Sequence, residues 1–193
     1  MKAKKLAKKL AAVVCCFSCI MGLHVETMAM ETEYIAVTPE IQEGITAYVI
    51  DENGQKEALD CEVSLKKSVS NARAAGDWYT LEVKASNVKD SYDDITQEGI
   101  QLSGRISWID NLGIPNILTS VSGRFENTSK IKSAYYQYGT LGEYFSSKNM
   151  DLSRTNSFLE SLWKEGAGFR LELSARTKDD KKISLTVKTS IFD

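Results

Sequence analysis

Tyrosines cluster in one short stretch of the chain, where their type and spacing suggest binding chemistry. Tyr135, Tyr136, Tyr138 and Tyr144 are the residues concerned. On a strand, Tyr136 and Tyr138 share one face and Tyr135 lies on the other. Two tyrosines on an exposed face would form a stacking platform for sugar rings or for an aromatic-rich protein contact. The alternative is that one of these faces belongs to the core. We take the four tyrosines as the predicted ligand-binding residues.

Histidine and cysteine chemistry is largely excluded beyond residue 29. The chain has one histidine, His24, and from residue 30 onward it keeps only one cysteine, Cys61. A Ser-His-Asp triad, a Cys-His pair and an ordinary zinc site all need more than this. We therefore predict no such catalytic residue, no metal ion and no cofactor, and we expect Cys61 to be a buried small hydrophobe. A carboxylate pair, as in glycosidases, remains open.

The densest acidic group could offer oxygen ligands to calcium. It comprises Asp90, Asp93, Asp94 and Glu98. The group lacks the spacing and the central glycine of an EF-hand loop. A solvated acidic loop is therefore the favoured interpretation.

Residues 1–29 have the features of a secretory signal peptide. Five lysines precede an uncharged apolar run from Leu10 to Leu23. Thr27 and Ala29 place small residues where a signal peptidase would cut before Met30. An uncleaved anchor is the alternative, although the run is shorter than the roughly 20 residues that a spanning helix needs. Acylation of Cys19 is a second alternative, but the residues before it match a lipobox poorly.

Loss of this segment changes the charge of the protein. Residues 1–29 contain five of the 24 basic residues and one of the 26 acids, so residues 30–193 carry a net charge of −6. Nucleic acid is therefore not an expected partner. The predicted location is secreted or extracellular, with association to the cell envelope left open. We expect no stable membrane insertion after cleavage.

Apolar and polar residues alternate in short runs from about residue 45, which is typical of half-buried strands. Eight strands are predicted, at 45–50, 58–69, 78–85, 100–108, 117–125, 132–138, 169–175 and 183–191. Asn53-Gly54 and residues 178–181 have the composition of hairpin turns. The clearest hairpin joins 100–108 to 117–125, with Trp108 on its apolar face. Matched glycines at Gly104 and Gly123 predict bends or bulges.

One segment has helical spacing instead. Ser157 and Glu160 fit a capping box, Gly166 fits a C-terminal stop, and four large apolar residues would share one helical face. We therefore allow one short helix here. The predicted fold is all-β, an antiparallel β-sandwich or partly closed barrel of about eight strands, in a single domain over 30–193.

The hairpin also carries a resemblance. Ile106-Ser-Trp108-Ile-Asp110-Asn-Leu-Gly113, followed by Ser122-Gly123-Arg-Phe125, resembles a motif of small exported proteins from Gram-positive, especially gut-dwelling, bacteria. Phe125 stands where tryptophan is more usual in that family. The family is uncharacterised, so the resemblance implies export and a β fold but no activity.

These features favour a non-enzymatic exported binding module that acts at the cell surface or outside the cell. Its expected partner is a cell-wall polysaccharide or a surface protein. A carboxylate-only glycoside hydrolase is the enzymatic alternative. A membrane-active secreted protein is a third hypothesis, because the alternation of the 100–125 hairpin would also suit a membrane.

Overall fold

A computed structural model describes residues 31–69, 76–86, 99–110 and 115–189. Thr32–Asp193 forms a compact unit with its own apolar core, which is the property that allows a domain to fold alone. The predicted signal peptide with Cys19, the acidic residues 90–98 and the loop residues Asn111 and Gly113 lie outside the described residues.

Two antiparallel six-stranded sheets form the fold, so the predicted all-β sandwich is confirmed. Sheet A has the order β1-β4-β5-β6-β7-β10, and sheet B has the order β3-β2-β12-β11-β8-β9. The strands of sheet A are β1 (Glu31–Ile35), β4 (Asp60–Val69), β5 (Asp77–Ser86), β6 (Gln101–Asp110), β7 (Asn116–Phe125) and β10 (Ser157–Gly166). The strands of sheet B are β2 (Ile45–Ile50), β3 (Lys56–Ala58), β8 (Ile131–Thr140), β9 (Tyr144–Met150), β11 (Phe169–Thr177) and β12 (Lys182–Lys188).

The described residues contain twelve strands rather than about eight. The eight predicted strands correspond to β2, β4, β5, β6, β7, β8, β11 and β12, with small shifts at their ends. The four additional strands, β1, β3, β9 and β10, all lie at sheet edges. Three of them, β3, β9 and β10, contain no fully buried residue, so their sequences lack the regular run of apolar core residues that predicts a strand.

The predicted hairpin of β6 and β7 is confirmed, but no bulge falls at its glycines. Gly104 lies directly opposite Gly123 in the ladder, and the irregularity falls between Ser107 and Trp108. Both glycines face sheet B. A Cβ atom on Gly104 would come within 3.2 Å of the Leu171 side chain. The glycines therefore lie where the two sheets approach closely.

The first hairpin is shorter than expected. The turn after β2 has Gly54 at φ 81°, and Asp51 accepts hydrogen bonds there from the backbone of Asn53 and Gln55 at 2.9 and 2.8 Å. The return strand β3 has only three residues before the chain crosses to sheet A as β4. The predicted strand over 58–69 is therefore β4, but its expected place as the return strand of this hairpin is wrong, because β3 pairs with β2 instead.

The predicted helix at residues 157–166 is also wrong. This segment is β10, and it pairs with β7 from Ser157 to Gly166. The one described α-helix is α1 (Pro39–Glu43), where Thr38 caps the N-terminus and a proline occupies the first turn. Tertiary pairing along ten residues outweighs the weak preference of a single capping box.

The core lies between the central strands of the two sheets. Its largest fully buried side chains include Trp108, Phe125 and Phe169. Trp108 is stacked on Tyr79 with ring centroids 5.4 Å apart, so its prediction as a core residue is confirmed. The alternation of the 100–125 hairpin thus serves a packed core. A search of the described residues finds no helix with the length and apolarity needed to cross a membrane.

Candidate functional site

The predicted tyrosines fall on both faces of sheet B. Tyr136 and Tyr138 share a face and Tyr135 lies opposite, as their spacing predicts. Their shared face is the inner one, where Tyr136 is 4% and Tyr138 is 7% exposed. The Tyr136 ring stacks on Phe158 of β10 with centroids 3.7 Å apart. Tyr136 and Tyr138 are therefore core residues and do not form an exposed stacking platform.

Tyr135 and Tyr144 lie together on the outer face of sheet B in a polar network. The Tyr144 hydroxyl donates to Glu172 Oε1 at 2.6 Å. The amide of Gln137 links the two tyrosines, because its nitrogen donates to Glu172 and its oxygen accepts from Tyr135. Tyr135 also lies 2.8 Å from the hydroxyl of Ser147. These side chains hold one another in fixed positions.

Arg170 completes this network. Its guanidinium lies 3.9 Å from the centroid of the Tyr144 ring, and its Nε is 3.7 Å from Glu172 Oε1. Burial, reinforced by the hydrogen bond to Glu172, raises the pKa of Tyr144 to about 12. The phenol therefore stays protonated as a donor. Each oxygen of Glu172 thus accepts one hydrogen bond within the network, Oε1 from Tyr144 and Oε2 from Gln137.

A second cluster lies on the inner side of sheet B, where β9 and β10 face each other. Glu160 Oε1 accepts from the Tyr136 hydroxyl at 2.8 Å and from Lys148 Nζ at 2.6 Å. The ammonium of Lys148 and the hydroxyl of Tyr136 lower the pKa of Glu160. Burial and the bond to Glu160 raise the pKa of Tyr136 to about 12. This cluster joins one edge of sheet A to the matching edge of sheet B.

We call this side of the sandwich the closed edge. It is sealed by the Tyr136–Phe158 stack, by the Glu160–Lys148 ion pair and by Lys164, whose Nζ lies 5.8 Å from the Phe145 ring centroid.

Two large apolar side chains project from the outer face of the closed edge. On β10, Leu159 is 70% exposed and Trp163 is 63% exposed. Their neighbours Phe158 and Leu162 are partly buried against the core. The register with β7 shifts between Ser161 and Lys164, and such a bulge re-aims the side chains within it. The structure thus separates the four apolar residues that a helix would have placed on one face.

Glu160 and Glu172 do not form an open catalytic pair. Glu160, on β10 of sheet A, faces the inner side of sheet B, whereas Glu172, on β11, lies on the outer side of sheet B. Each carboxylate accepts hydrogen bonds from neighbouring donors. Within the described ranges, no cluster of three or more acidic, cysteine or histidine residues could hold a metal ion. Cys61 is a free thiol. It is half-buried and packs beside the core, and burial raises its pKa.

Sequence reasoning missed the exposed pair on β10 and the Glu160 cluster. The sequence of β10 does alternate, with Phe158, Glu160 and Leu162 on one side and Leu159, Ser161 and Trp163 on the other. The helical spacing of its four apolar residues obscured this alternation. No local signal indicates the contact of Glu160 with Lys148 and Tyr136, which come from other strands.

Comparison of the chain with known proteins finds no matching family model, curated protein or solved structure.

Proposed function

We propose that this chain is an exported, non-enzymatic module that binds another protein through the outer face and free edge of β10. The observation that carries the proposal is the exposure of Leu159 and Trp163, at 70% and 63%, on one edge strand. Large aromatic and apolar side chains of this kind commonly supply the central contacts of protein interfaces. Export rests on the predicted signal peptide, and it remains part of the proposal.

The chemistry of this surface favours a protein over a polysaccharide. A sugar ring stacks on flat aromatic faces, and of the two residues only Trp163 offers one. Leu159 lies four residues away, about 13 Å along an extended strand. An aliphatic and an aromatic contact at this separation suit two side chains of a partner protein.

The backbone of β10 also supports a protein partner. β10 ends the order of sheet A, so its outer edge pairs with no strand among the described residues. Asn156 accepts a hydrogen bond from Phe125 N at 2.8 Å and so faces β7. By the alternation of an antiparallel ladder, Ser157, Leu159 and Ser161 face the free edge. The Thr155 hydroxyl already binds both the C=O and the N–H of Ser157, at 2.8 and 3.2 Å, so Leu159 and Ser161 supply the groups for pairing. A partner strand can pair there until the bulge at residues 162–163.

The non-enzymatic part of the proposal rests on residue types and on geometry. The chain has no histidine beyond residue 29. Glu160 and Glu172 are held by neighbouring donors on opposite sides of sheet B. Purified protein that hydrolyses a polysaccharide would contradict this part.

Binding to bacterial cell envelopes tests the proposal. Protein comprising residues 30–193 is sedimented with envelopes, before and after the envelopes are treated with a protease. We expect binding that the protease abolishes. Trp163→Ala should weaken it by about 30-fold or more, since an interface hot spot contributes roughly 2 kcal/mol or more. Tyr34→Ala is the matched control, because Tyr34 is 73% exposed on β1, at the opposite edge of sheet A.

A proline substitution tests the strand-pairing mode separately. Leu159→Pro removes an N–H that faces the free edge and leaves the ladder with β7 intact. It should weaken binding more than Leu159→Ala, which removes the side chain alone. Binding that survives protease treatment and Trp163→Ala would refute a protein partner at this surface and would favour a polysaccharide bound elsewhere.

A further inference from the structure

Among the residues that the structure describes, nothing closes the side of the sandwich opposite the closed edge. β3 pairs with β2 only at Tyr48, Val49 and Ile50. Leu59 then donates to Ala47 O at 3.0 Å, and the chain leaves sheet B for β4. The first residues of β2 therefore lose their neighbour, and a groove of about 640 Å³ opens beside them. This volume lies within the range of small-molecule sites.

The groove has an apolar wall and a polar rim. The wall is lined by Ile45, Ala47, Ala58, Leu59, Cys61 and Val63. Four of these, Ile45, Leu59, Cys61 and Val63, are only partly buried although they pack against the core. At the closed edge, the Tyr136–Phe158 stack and the Glu160–Lys148 ion pair cover the gap between the two sheets. A bound molecule would complete the burial that the open edge leaves unfinished.

The backbone adds a polar contact within the groove. Lys188 N donates to Gly44 O at 3.0 Å, so Gly44 faces β12. By the alternation of an antiparallel strand, Ile45 turns its N–H and C=O to the opposite side, as Ala47 does toward Leu59. Ile45 therefore presents one donor and one acceptor to the groove. A partner strand does not fit there, because Leu59 and β3 occupy the edge from Ala47 onward.

The charges of the lining favour an uncharged occupant. Lys56 and Asp60 are its only charged residues, and they balance each other. The Lys56 ammonium lies 3.8 Å from the centroid of the Tyr48 ring, which already stabilises its charge. An anionic or cationic ligand would bring an unpaired charge against the apolar wall.

We propose that this groove binds an uncharged small molecule whose body is apolar and which carries an amide or hydroxyl group for the backbone of Ile45. This site is separate from the surface of β10, so the two proposals can fail independently.

Two matched dyes and the thiol of Cys61 test the site in the 30–193 protein. N-phenylnaphthylamine is an uncharged apolar fluorophore with one N–H donor, and its sulfonated analogue adds an anionic group. We expect the uncharged dye to bind saturably at one site and the analogue to bind at least ~10-fold more weakly, since burying an unpaired charge is costly. Cys61 lies in the groove and is the only cysteine beyond residue 29. Bound dye should therefore slow its labelling by a maleimide.

A filling variant locates the dye. Ala58 lines the groove and is exposed, so Ala58→Trp should reduce affinity without disturbing the core. Gln55→Trp is the control, because Gln55 is exposed in the preceding turn and does not line the groove. Saturable binding, protection of Cys61 and selective loss in Ala58→Trp would support the site. Absence of saturable binding, unprotected Cys61, equal loss in both variants or equal affinity for the sulfonated dye would overturn it.

Discussion

Replacing Gly123 by alanine tests how closely the two sheets approach at the closed edge. A Cβ atom at this position would lie 2.6 Å from Phe158 Cε1 and 2.9 Å from Leu173 Cδ2. Both contacts are too short, and Phe158 is itself held by its stack on Tyr136. Overpacking of this kind costs about 1–3 kcal/mol. The loss of glycine flexibility in the unfolded chain returns roughly 0.4–1 kcal/mol.

Gly104→Ala is the matched control, because Gly104 is paired with Gly123 on the neighbouring strand. Its Cβ atom would meet Leu171 Cδ2 at 3.2 Å and otherwise only ordinary contacts. The end of a leucine side chain can move by a few tenths of an ångström. The gain from the unfolded chain is common to both variants and cancels. We therefore expect Gly123→Ala to be less stable than Gly104→Ala by about 1–2 kcal/mol, which is the overpacking cost at Gly123 less the smaller cost at Gly104.

Urea unfolding of the 30–193 protein measures this difference. For m near 2 kcal/mol/M, the midpoint of Gly123→Ala should lie about 0.5–1 M below that of Gly104→Ala. The buried Trp108 reports the transition through its fluorescence, and circular dichroism gives an independent signal. Equal midpoints for the two variants would refute the packing argument.

Three further predictions concern the residues of the closed edge and Tyr144. Tyr136→Phe removes the hydroxyl that donates to Glu160, and it should lower the free energy of unfolding by about 1 kcal/mol in urea titrations. Because the folded protein lowers the pKa of Glu160 from 4.5, the stability from this group is present above that pH and is lost as the pH falls through the folded value. Glu160→Gln should flatten the stability profile there, and an unchanged acid limb would contradict this. Because burial raises the pKa of Tyr136 and Tyr144 to about 12, both contribute stability that is full below pH 10 and is lost as the pH rises to about 12. Ultraviolet titration of the folded protein should show two phenols ionising near pH 12, and their ionisation at the ordinary value would refute the assignment.

The sequence predicts the centre of each sheet better than its edges. Central strands such as β6 and β11 alternate clearly, because both their neighbours and the opposite sheet constrain them. β10 carries apolar residues at spacings that suit either a strand or a helix, and its pairing with a distant β7 decides between the two. The division between β3 and β4 at Leu59 has no glycine or proline to indicate it. Residue types alone do not show where a chain changes sheets.

The candidate site could likewise be predicted only in part. The spacing of the tyrosines correctly places Tyr136 and Tyr138 on one face, but tyrosine is amphipathic, so its type does not tell which face is buried. Only the stack on Phe158 and the bond to Glu160 reveal that their face is the inner one. The sequence shows that Leu159 and Trp163 are apolar, but their exposure depends on the position of β10 at the edge of sheet A. Long-range pairing therefore determines which residues are available for binding.

The position of β12 has a consequence for the order of folding. This last strand lies between β2 and β11 in sheet B, so the earliest strand of that sheet joins the others only after the C-terminal region is available. Its pairing with β11 is a local hairpin, but its pairing with β2 is distant in sequence, and closing such a long loop is slow. A chain emerging from its N-terminal end would remain without a complete core until residues 182–188 had appeared. Truncation before Lys182 should therefore leave β2 without its central neighbour and produce a chain that proteases degrade rapidly.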